Sequence, residues 1–241
     1  MESGTGLTSF EKEFPDRFID AGICEENAAG MAAGLAIGGR KPVFAVYSTF
    51  LQRAIDQLIV NNALMNLDVV FAIDRAGLVG ADGPTHHGMF DLVYTRMVPN
   101  MRVLAPSNEA ELVNSLHTAL MLGGPFAVRY PRGEACGVPV PDKPETYEPG
   151  VSRLVREGSD VAILAFGNMV EPANEAAAAL EEAGLSVRVV DMRWVKPLDT
   201  EAIRRAAETR LVVTVEDGVV EGGVGEEVLA ELARQDAKAP V

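Results

Sequence analysis

The sequence has 241 residues, of which 48% are hydrophobic, and a formal net charge of -14, so it can bury a core large enough for one large domain or two ordinary ones. The acidic charge argues against a nucleic-acid partner, no apolar run approaches the roughly 20 residues of a membrane span, and Met1-Glu2-Ser3-Gly4 lacks the segments of a signal peptide. Cys24 and Cys136 are too few for a disulfide framework, so we expect a protein of the reducing cytoplasm.

The first half alternates short apolar runs with segments of helical periodicity. Its predicted strands are Arg17–Cys24, Val43–Tyr47, Val69–Ile73, Arg102–Ala105 and Pro125–Tyr130. Its predicted helices are 25–38, Leu51–Asn66, Phe90–Val98 and a helix that is capped by Ser107 and ends at Gly123. The order strand, helix, strand between Val43 and Ile73 predicts a βαβ unit.

A polar, glycine-rich segment, residues 74–88, follows the second strand of that unit. It is longer than the about 2 to 6 residues that connect strands to helices in α/β units, so we expect it to bind a ligand or to take part in chemistry. His86 and His87 lie in it and can donate or accept protons near neutral pH, while a solvated loop would accommodate them equally well. His117 falls in a predicted helix, where we expect a structural role. The histidines and Asp82 lack the spacing of strong zinc sites, so no metal site is predicted.

The proline-rich stretch after Gly133 has little apolar periodicity, and we place the domain boundary there. The expected domains are 1–135 and 151–241, joined by a linker over 136–150. The predicted strands of the second half are Val161–Phe166, Val187–Asp191 and Leu211–Val215, and its predicted helices are Val170–Ala183, Thr200–Thr209 and Gly225–Arg234. Strands that alternate with helices predict an α/β fold with two doubly wound, mostly parallel-sheet domains.

Arginines follow two of the predicted strands. Arg75 comes after the strand that ends at Ile73, and Arg129 and Arg132 lie at the end of the strand Pro125–Tyr130. Ligands bind at the carboxyl ends of strands in open α/β sheets, and guanidinium groups suit phosphates and carboxylates. Surface ion pairs are the ordinary alternative for arginines in an acidic protein.

Several segments together resemble a known family. They are Asp20–Ala28, Tyr47–Gln57, Asp74–His86, Arg129–Gly133, Lys196–Asp199 and Glu221–Gly225. They are similar to 1-deoxy-D-xylulose-5-phosphate synthases, transketolase-like enzymes that use thiamine diphosphate and magnesium to join pyruvate, after decarboxylation, to glyceraldehyde 3-phosphate. The resemblance covers nearly the whole chain. It implies a pyrimidine-binding domain that lacks its first strand and a C-terminal domain that is truncated, both of transketolase type.

The resemblance also implies roles for individual residues. It makes Glu25 the catalytic carboxylate that hydrogen-bonds the aminopyrimidine ring and promotes the tautomer that deprotonates the thiazolium carbon. Phe50 stacks on that ring, and His86 transfers a proton or polarises a carbonyl. Arg75 and Arg132 hold the phosphate of the acceptor aldehyde. The residues expected to line the cofactor or the substrates are Tyr47, Arg53, Asp82 and His86.

Some positions depart from the family pattern. Asn27 stands where the family usually has His, and Asn61-Asn62 stands where a His-Asp pair is common. Asparagine can hydrogen-bond, but it cannot exchange a proton near neutral pH. The Gly-Asp-Gly motif and downstream Asn that hold magnesium and diphosphate in the family's N-terminal domain are not found in this sequence. We therefore expect those ligands outside this chain, which is then a fragment, a split subunit or a degraded paralogue.

Three hypotheses about function follow. The favoured one is a part of this synthase, active on pyruvate and glyceraldehyde 3-phosphate as a homodimer or in complex with a diphosphate-binding chain, and inactive alone. The second is the β subunit of a 2-oxo acid dehydrogenase, which the segment 47–53 and the arginines fit less well. The third is a non-catalytic interaction module, supported by Asn27 and by the motif that is not found. The residues leave open whether a product would serve isoprenoid or thiamine synthesis.

Overall fold

The computed structural model describes residues 3–237 and 241. Residues 1–2 and 238–240 lie outside the described residues. They belong to the expected domains 1–135 and 151–241, and residues 1–2 also belong to the segment compared with signal peptides. The strands are β1 (Val43–Tyr47), β2 (Val70–Asp74), β3 (Arg102–Leu104), β4 (Phe126–Arg129), β5 (Arg153–Arg156), β6 (Val161–Ala165), β7 (Val187–Asp191), β8 (Trp194–Lys196) and β9 (Leu211–Val215). The α-helices are α1 (Thr8–Glu13), α2 (Glu25–Ile37), α3 (Ser48–Leu51), α4 (Ile55–Gln57), α5 (Asp91–Met97), α6 (Glu109–Leu122), α7 (Val170–Glu182), α8 (Thr200–Ala206) and α9 (Val224–Arg234). Among the described residues, no helix combines the length and the hydrophobicity that crossing a bilayer requires.

The first sheet has the strand order β1-β2-β4-β3-β8. Its first four strands are parallel, and β8 pairs antiparallel with β3. All residues of β2 and β4 are buried, as expected for strands that are covered on both faces. The register pairs Tyr47 with Asp74 and Ile73 with Arg129. The carboxyl ends of β1, β2 and β4 therefore meet at one edge of the sheet, the place where ligands bind in such folds.

The second sheet has the strand order β5-β7-β6-β9. Strands β7, β6 and β9 are parallel, and β5 is antiparallel to β7. Ala165 pairs with both Asp191 and Val215, so these three strands also end together. The mixed, mostly parallel sheets confirm the expected α/β class.

The hydrophobic core joins the two sheets. One cluster of buried side chains contains Phe71 and Leu92 from the first half and Leu164, Phe166 and Met192 from the second. Burial of each large apolar side chain stabilises a fold by roughly 1.5 to 3 kcal/mol relative to exposure. The relative position of the two sheets is thus fixed by shared core packing.

The prediction of a strand at Arg17–Cys24 is wrong. A 3-10 turn covers Pro15–Arg17, and the residues from Phe18 to Cys24 have no regular secondary structure. Gly22 adopts a positive φ of 68°, and its N–H donates to Asp20 Oδ1 at 2.8 Å. This local turn satisfies the Gly22 N–H, and the positive φ of Gly22 is not a strand conformation, so the segment does not extend into a sheet.

The helix predicted at Leu51–Asn66 forms, but it is not a single α-helix. It begins at Ser48 in α3, continues as a 3-10 turn (Gln52–Ala54) and α4, and ends as a π-helix (Leu58–Ala63). The Asn62 side-chain amide donates to Gln57 O at 2.8 Å and to Ala29 O at 3.3 Å. The side chain therefore takes a carbonyl that a regular helical hydrogen bond would use, which fits a π-helical segment at this place.

Two further details differ from the sequence-based expectations. Asn108, not Ser107, caps α6, because its side chain accepts the N–H of Glu111 at 3.0 Å; the Ser107 hydroxyl donates to Asp191 instead. The edge strands β5 and β8 were not predicted. Most other elements are confirmed with small differences at their ends.

Candidate active site

The candidate active site lies where β1, β2 and β4 end and α2 begins. The residues that the sequence singled out converge there in three groups. They are Glu25 with Arg53, an aromatic group (Tyr47, Phe50 and His86), and an arginine cluster (Arg75, Asp82 and Arg132).

Glu25 is the first residue of α2, and its side chain is only 9% exposed. Its Oε1 accepts a hydrogen bond from Arg53 Nη1 at 2.9 Å, and the Arg53 side chain is 52% exposed. The helix N-terminus and the guanidinium both stabilise a negative charge on this carboxylate. A ligand that uses Glu25 must therefore share this oxygen with Arg53 or displace it.

The aromatic group separates Glu25 from the arginine cluster. The rings of Tyr47 and Phe50 stack with centroids 5.3 Å apart and an interplanar angle of 14°. His86 meets the Phe50 ring edge-on at 5.4 Å, and the Arg53 guanidinium lies 5.1 Å from the same ring. The Arg75 guanidinium lies 3.7 Å from the Tyr47 ring. Burial raises the pKa of Tyr47, so its hydroxyl stays protonated and can donate a hydrogen bond at neutral pH.

In the arginine cluster, Asp82 joins the two guanidinium groups. Its Oδ2 accepts from Arg75 Nε at 3.0 Å and its Oδ1 accepts from Arg132 Nη1 at 2.6 Å. Arg75 Nη1 also donates to Asp74 Oδ2 at 2.6 Å and to Gly4 O at 3.0 Å. Two Arg75 nitrogens are therefore in use, whereas the exposed Arg132 has a single side-chain bond among the described residues.

Backbone strain accompanies this arrangement. Arg75 has a φ of 57°, a left-handed conformation that costs roughly 1 to 2 kcal/mol in a residue other than glycine. Its N–H donates to Asp74 Oδ1 at 2.6 Å, which helps to hold the conformation. Burial raises the pKa of Asp74, and the Arg75 charge opposes that shift. Strained residues of this kind cluster at functional sites.

The glycine-rich loop, residues 74–88, is closed at its base and ordered at its tip. Gly77 and Gly88 exchange two backbone hydrogen bonds, 2.9 and 2.8 Å long. Between them, two 3-10 turns cover Gly80–Asp82 and Pro84–His86. Thr85 Oγ1 lies 3.0 Å from His86 Nδ1, while the neighbouring His87 Nδ1 accepts the N–H of Val79 at 3.1 Å. His86 thus packs against Phe50, and His87 has a structural contact within the loop.

Sequence reasoning did not predict the contacts that hold the base of this loop: it missed Asp217, and it placed Arg129 among the arginines suited to ligands. Arg129 does not face a ligand, because its side chain is 2% exposed and pairs with Asp91. Asp217, which follows β9 in the second sheet, accepts the N–H of Leu78. The acidic pair Glu216-Asp217, which follows a predicted apolar strand, is the signal that could have drawn attention to Asp217.

The asparagines that depart from the family pattern lie in different surroundings. Asn27 is exposed on the first turn of α2, and Asn61 is half-buried. Asn62 is buried, and its Oδ1 has no hydrogen-bond partner among the described residues. In the described ranges, His, Cys, Asp and Glu side chains form no group of three or more that could hold a metal ion.

Two family models match the chain. The model described as "Transketolase, pyrimidine binding domain" matches residues 1–137, and that described as "Transketolase, C-terminal domain" matches residues 150–241. Among curated proteins, the 1-deoxy-D-xylulose-5-phosphate synthase of Magnetococcus marinus is 54% identical over 237 residues, which is 98% of this chain and 38% of that protein. The synthase of Chlorobium luteolum is 54% identical over 243 residues, with 100% and 38% covered. The chain therefore spans under two fifths of the length of these relatives.

Two solved structures of transketolases are also similar to this chain. One described as "Split gene transketolase, inactive beta4 tetramer" is 36% identical, with a TM-score of 0.88, and the match covers 99% of this chain and 78% of that chain. A transketolase from Campylobacter jejuni is 26% identical, with a TM-score of 0.74, over 84% of this chain and 33% of that chain.

Proposed function

The chain belongs to the transketolase family, and on that premise we propose that it forms the pyrimidine-binding and C-terminal parts of a 1-deoxy-D-xylulose-5-phosphate synthase. The proposed reaction joins pyruvate, with loss of CO₂, to glyceraldehyde 3-phosphate. The observation that carries the proposal is one arrangement: a buried carboxylate, Glu25, and a cluster of two arginines lie at the same strand ends, with the aromatic group between them. The pattern suits a cofactor ring at one end and a phosphorylated acceptor at the other.

The residues around Glu25 fit the aminopyrimidine of thiamine diphosphate. A buried carboxylate can share a proton with a ring nitrogen, and Phe50 offers an aromatic surface beside it. When bound, the cofactor supplies a carbon nucleophile and an electron sink for decarboxylation. In this proposal Glu25 shares a proton with the ring nitrogen through a carboxylate oxygen. Arg53 can turn towards solvent because its side chain is 52% exposed.

We assign the proton transfer at the acceptor to His86. When a carbon–carbon bond forms at an aldehyde, a proton must reach the oxygen that becomes a hydroxyl. Thr85 contacts Nδ1 of His86, which leaves Nε2 to face the substrate. Tyr47, kept protonated by burial, can donate a second hydrogen bond nearby.

The arginine cluster binds the acceptor phosphate in this proposal. Arg132 is 43% exposed and uses only Nη1 within the described part of the chain, so most of its N–H groups can meet phosphate oxygens. Arg75 is 12% exposed and already bonded to Asp74 and Asp82. Arg132 is therefore the principal ligand, and Arg75 adds charge and holds Asp82 in place.

We propose that the diphosphate and magnesium are bound by a domain other than these two. The length of the relatives supports this, since the chain covers 38% of them, and magnesium prefers hard oxygen ligands that such a domain can supply. A similar solved structure is described as a split gene transketolase, so such a domain can also be supplied by a separate chain. The functional unit is then a homodimer or a complex with a diphosphate-binding chain. Exposed free thiols at Cys24 and Cys136 support a reducing cytoplasm as its location.

Reconstitution tests the proposal. The chain is co-expressed with the part of the Magnetococcus marinus relative that it does not match, and CO₂ release from pyruvate is measured with and without glyceraldehyde 3-phosphate. We expect acceptor-dependent CO₂ release and a phosphorylated five-carbon product. A complex that forms and binds thiamine diphosphate without turnover would instead favour a non-catalytic module, the reading that the exposed Asn27 and the Glu25–Arg53 pair support.

A further inference from the structure

The base of the glycine-rich loop is held by a residue from the other sheet. Asp217 follows β9, and both of its carboxylate oxygens lie within reach of Leu78 N–H, at 3.2 and 3.3 Å. Asn168, which follows β6, donates its side-chain amide to Asp217 Oδ2 at 3.2 Å. A carboxylate that accepts backbone and amide N–H groups makes stronger hydrogen bonds than a neutral acceptor would.

The fit between this carboxylate and the loop is close. Gly77 is buried and has a φ of 75°, and a methyl group added to it would overlap the Asp217 carboxylate. The same Gly77 forms the bridge with Gly88 that closes the loop. Asp217 therefore contacts the loop at Gly77, the residue whose positive φ turns the chain at the base of the loop.

The backbone of Asp217 is fixed independently of its side chain. The buried Arg129 donates from Nη2 to Asp217 O at 2.9 Å while it pairs with Asp91. A methyl group on Gly218 would lie 3.2 Å from Leu92 Cδ1, so this segment also packs closely on α5. The carboxylate is thus presented to the loop by a rigid support rather than by a flexible surface residue.

We propose that Asp217 is a positioning residue for the candidate active site: it fixes the base of the glycine-rich loop and thereby the placement of Asp82 and His86. Asp82 joins the two arginines of the arginine cluster, and His86 contacts Phe50. The second sheet thus determines the geometry of the acceptor site without contributing a group that touches the acceptor. The consequence for activity rests on the proposed function, whereas the consequence for the loop does not.

Hydrogen exchange measured by mass spectrometry tests the inference on the chain itself. In Asp217→Ala we expect amides of residues 76–88 to exchange about tenfold or more faster, because the loop loses its anchor. Asp217→Asn keeps the shape and one acceptor oxygen, so it should give an intermediate rate and serves if the alanine variant folds poorly.

The neighbouring carboxylate is a matched control. Glu216 accepts the N–H groups of Val224 and Gly225, both at 2.9 Å, at the start of α9. Glu216→Gln should accelerate exchange at 223–226 and leave 76–88 unchanged. Loop exchange at the wild-type rate in Asp217→Ala, or an equal acceleration along the whole chain, would overturn the inference.

The reconstituted complex gives the second readout. Asp217→Ala should raise the KM for glyceraldehyde 3-phosphate about tenfold, because the arginine cluster is displaced. The KM for unphosphorylated glyceraldehyde should rise less. Asp217→Asn should recover part of that loss. If the wild-type complex makes no product but the loop responds to Asp217, the proposed function fails and the positioning role stands. If the complex is active and neither loop exchange nor KM changes, the positioning role alone fails.

Discussion

Arg129 and Asp91 form an ion pair that is almost completely removed from solvent. Nε and Nη2 of Arg129 lie 3.1 and 3.2 Å from the two carboxylate oxygens of Asp91, and the side chains are 2% and 0% exposed. Asp91 Oδ1 also accepts the N–H of Leu92 at 2.8 Å. Within the described residues, each charge is compensated by the other and by a few fixed dipoles, at the junction of β4, α5 and the segment after β9.

Asp91→Asn is expected to destabilise the fold strongly. It leaves the Arg129 charge buried without a counter-charge, which costs about 3 to 5 kcal/mol in proteins. The free energy of unfolding from urea denaturation gives the measurement. Glu201→Gln, which breaks an exposed pair with Arg204, is the control and should change it little. Similar small effects of both variants would mean that the buried pair is readily replaced by water.

Glu25→Gln should abolish turnover of the reconstituted complex while the chain stays folded. Glutamine keeps the shape but cannot share the proton that cofactor activation requires, so the rate should fall by at least about two orders of magnitude. The exposed neighbour provides the comparison, since Glu26→Gln lies in the same helical turn and should retain activity. Near-normal turnover of the Glu25 variant would remove it from the catalytic machinery.

The arginine cluster should discriminate between acceptors. Arg132→Ala is expected to lower kcat/KM for glyceraldehyde 3-phosphate far more than for unphosphorylated glyceraldehyde, because the lost partner is the phosphate. Arg75→Ala should lower both, with the larger loss for the phosphorylated acceptor, since it also releases Asp74 and Asp82. Arg210→Ala, an exposed arginine in the turn before β9, should change neither. Equal losses with both acceptors in the Arg132 variant would show that its role is structural.

The chain without its proposed partner domain should bind thiamine diphosphate weakly. The proposed pyrimidine site around Glu25 and Phe50 offers one aromatic contact worth roughly 1 kcal/mol beyond burial, whereas a micromolar complex requires about 8 kcal/mol. Isothermal titration with magnesium present measures the affinity, and addition of the partner domain should raise it. A micromolar Kd for the chain alone would place the diphosphate site within these residues.

Asp191 should give the stability a measurable pH dependence. Burial raises its pKa above 3.8, although Ser107 and Arg153 bond to it and oppose the shift, with Glu111 nearby. The folded state therefore holds this proton to higher pH than the unfolded state, and stability falls as pH rises from 3.8 through the folded pKa. The free energy of unfolding of the wild type minus that of Asp191→Asn should decrease over this window and then level off. A difference that increases with pH would contradict the assignment.

Local patterns predicted the buried strands and the long helices because each carries its own periodicity. They failed at one place where a contact distant in sequence decides the structure and at another where a local turn does. Trp194–Lys196 is too short to read as a strand, and it becomes β8 only because β3 offers it an edge. The Arg17–Cys24 segment has strand-like apolar residues, but Gly22 turns the chain with a positive φ and donates its N–H to Asp20.

The candidate site also contains residues that the sequence could point to and residues that it could not. Glu25, Phe50 and Arg132 became candidates because their segments resemble a family. The roles of Arg129 and Asp217 could not be predicted. The sequence pattern of an arginine at a strand end is the same whether its side chain faces solvent or pairs with Asp91. Their support of the loop depends on packing between two sheets, which no local pattern encodes.

The position of β8 has a consequence for how copies of this chain can associate. By sequence it belongs to the second half, but its hydrogen bonds complete the edge of the first sheet at β3. If the two halves separate, the β3 edge loses its neighbour and becomes a template for another strand. The β8 of a second copy has the matching sequence, so domain swapping through this strand is a route of misassembly that the fold leaves open.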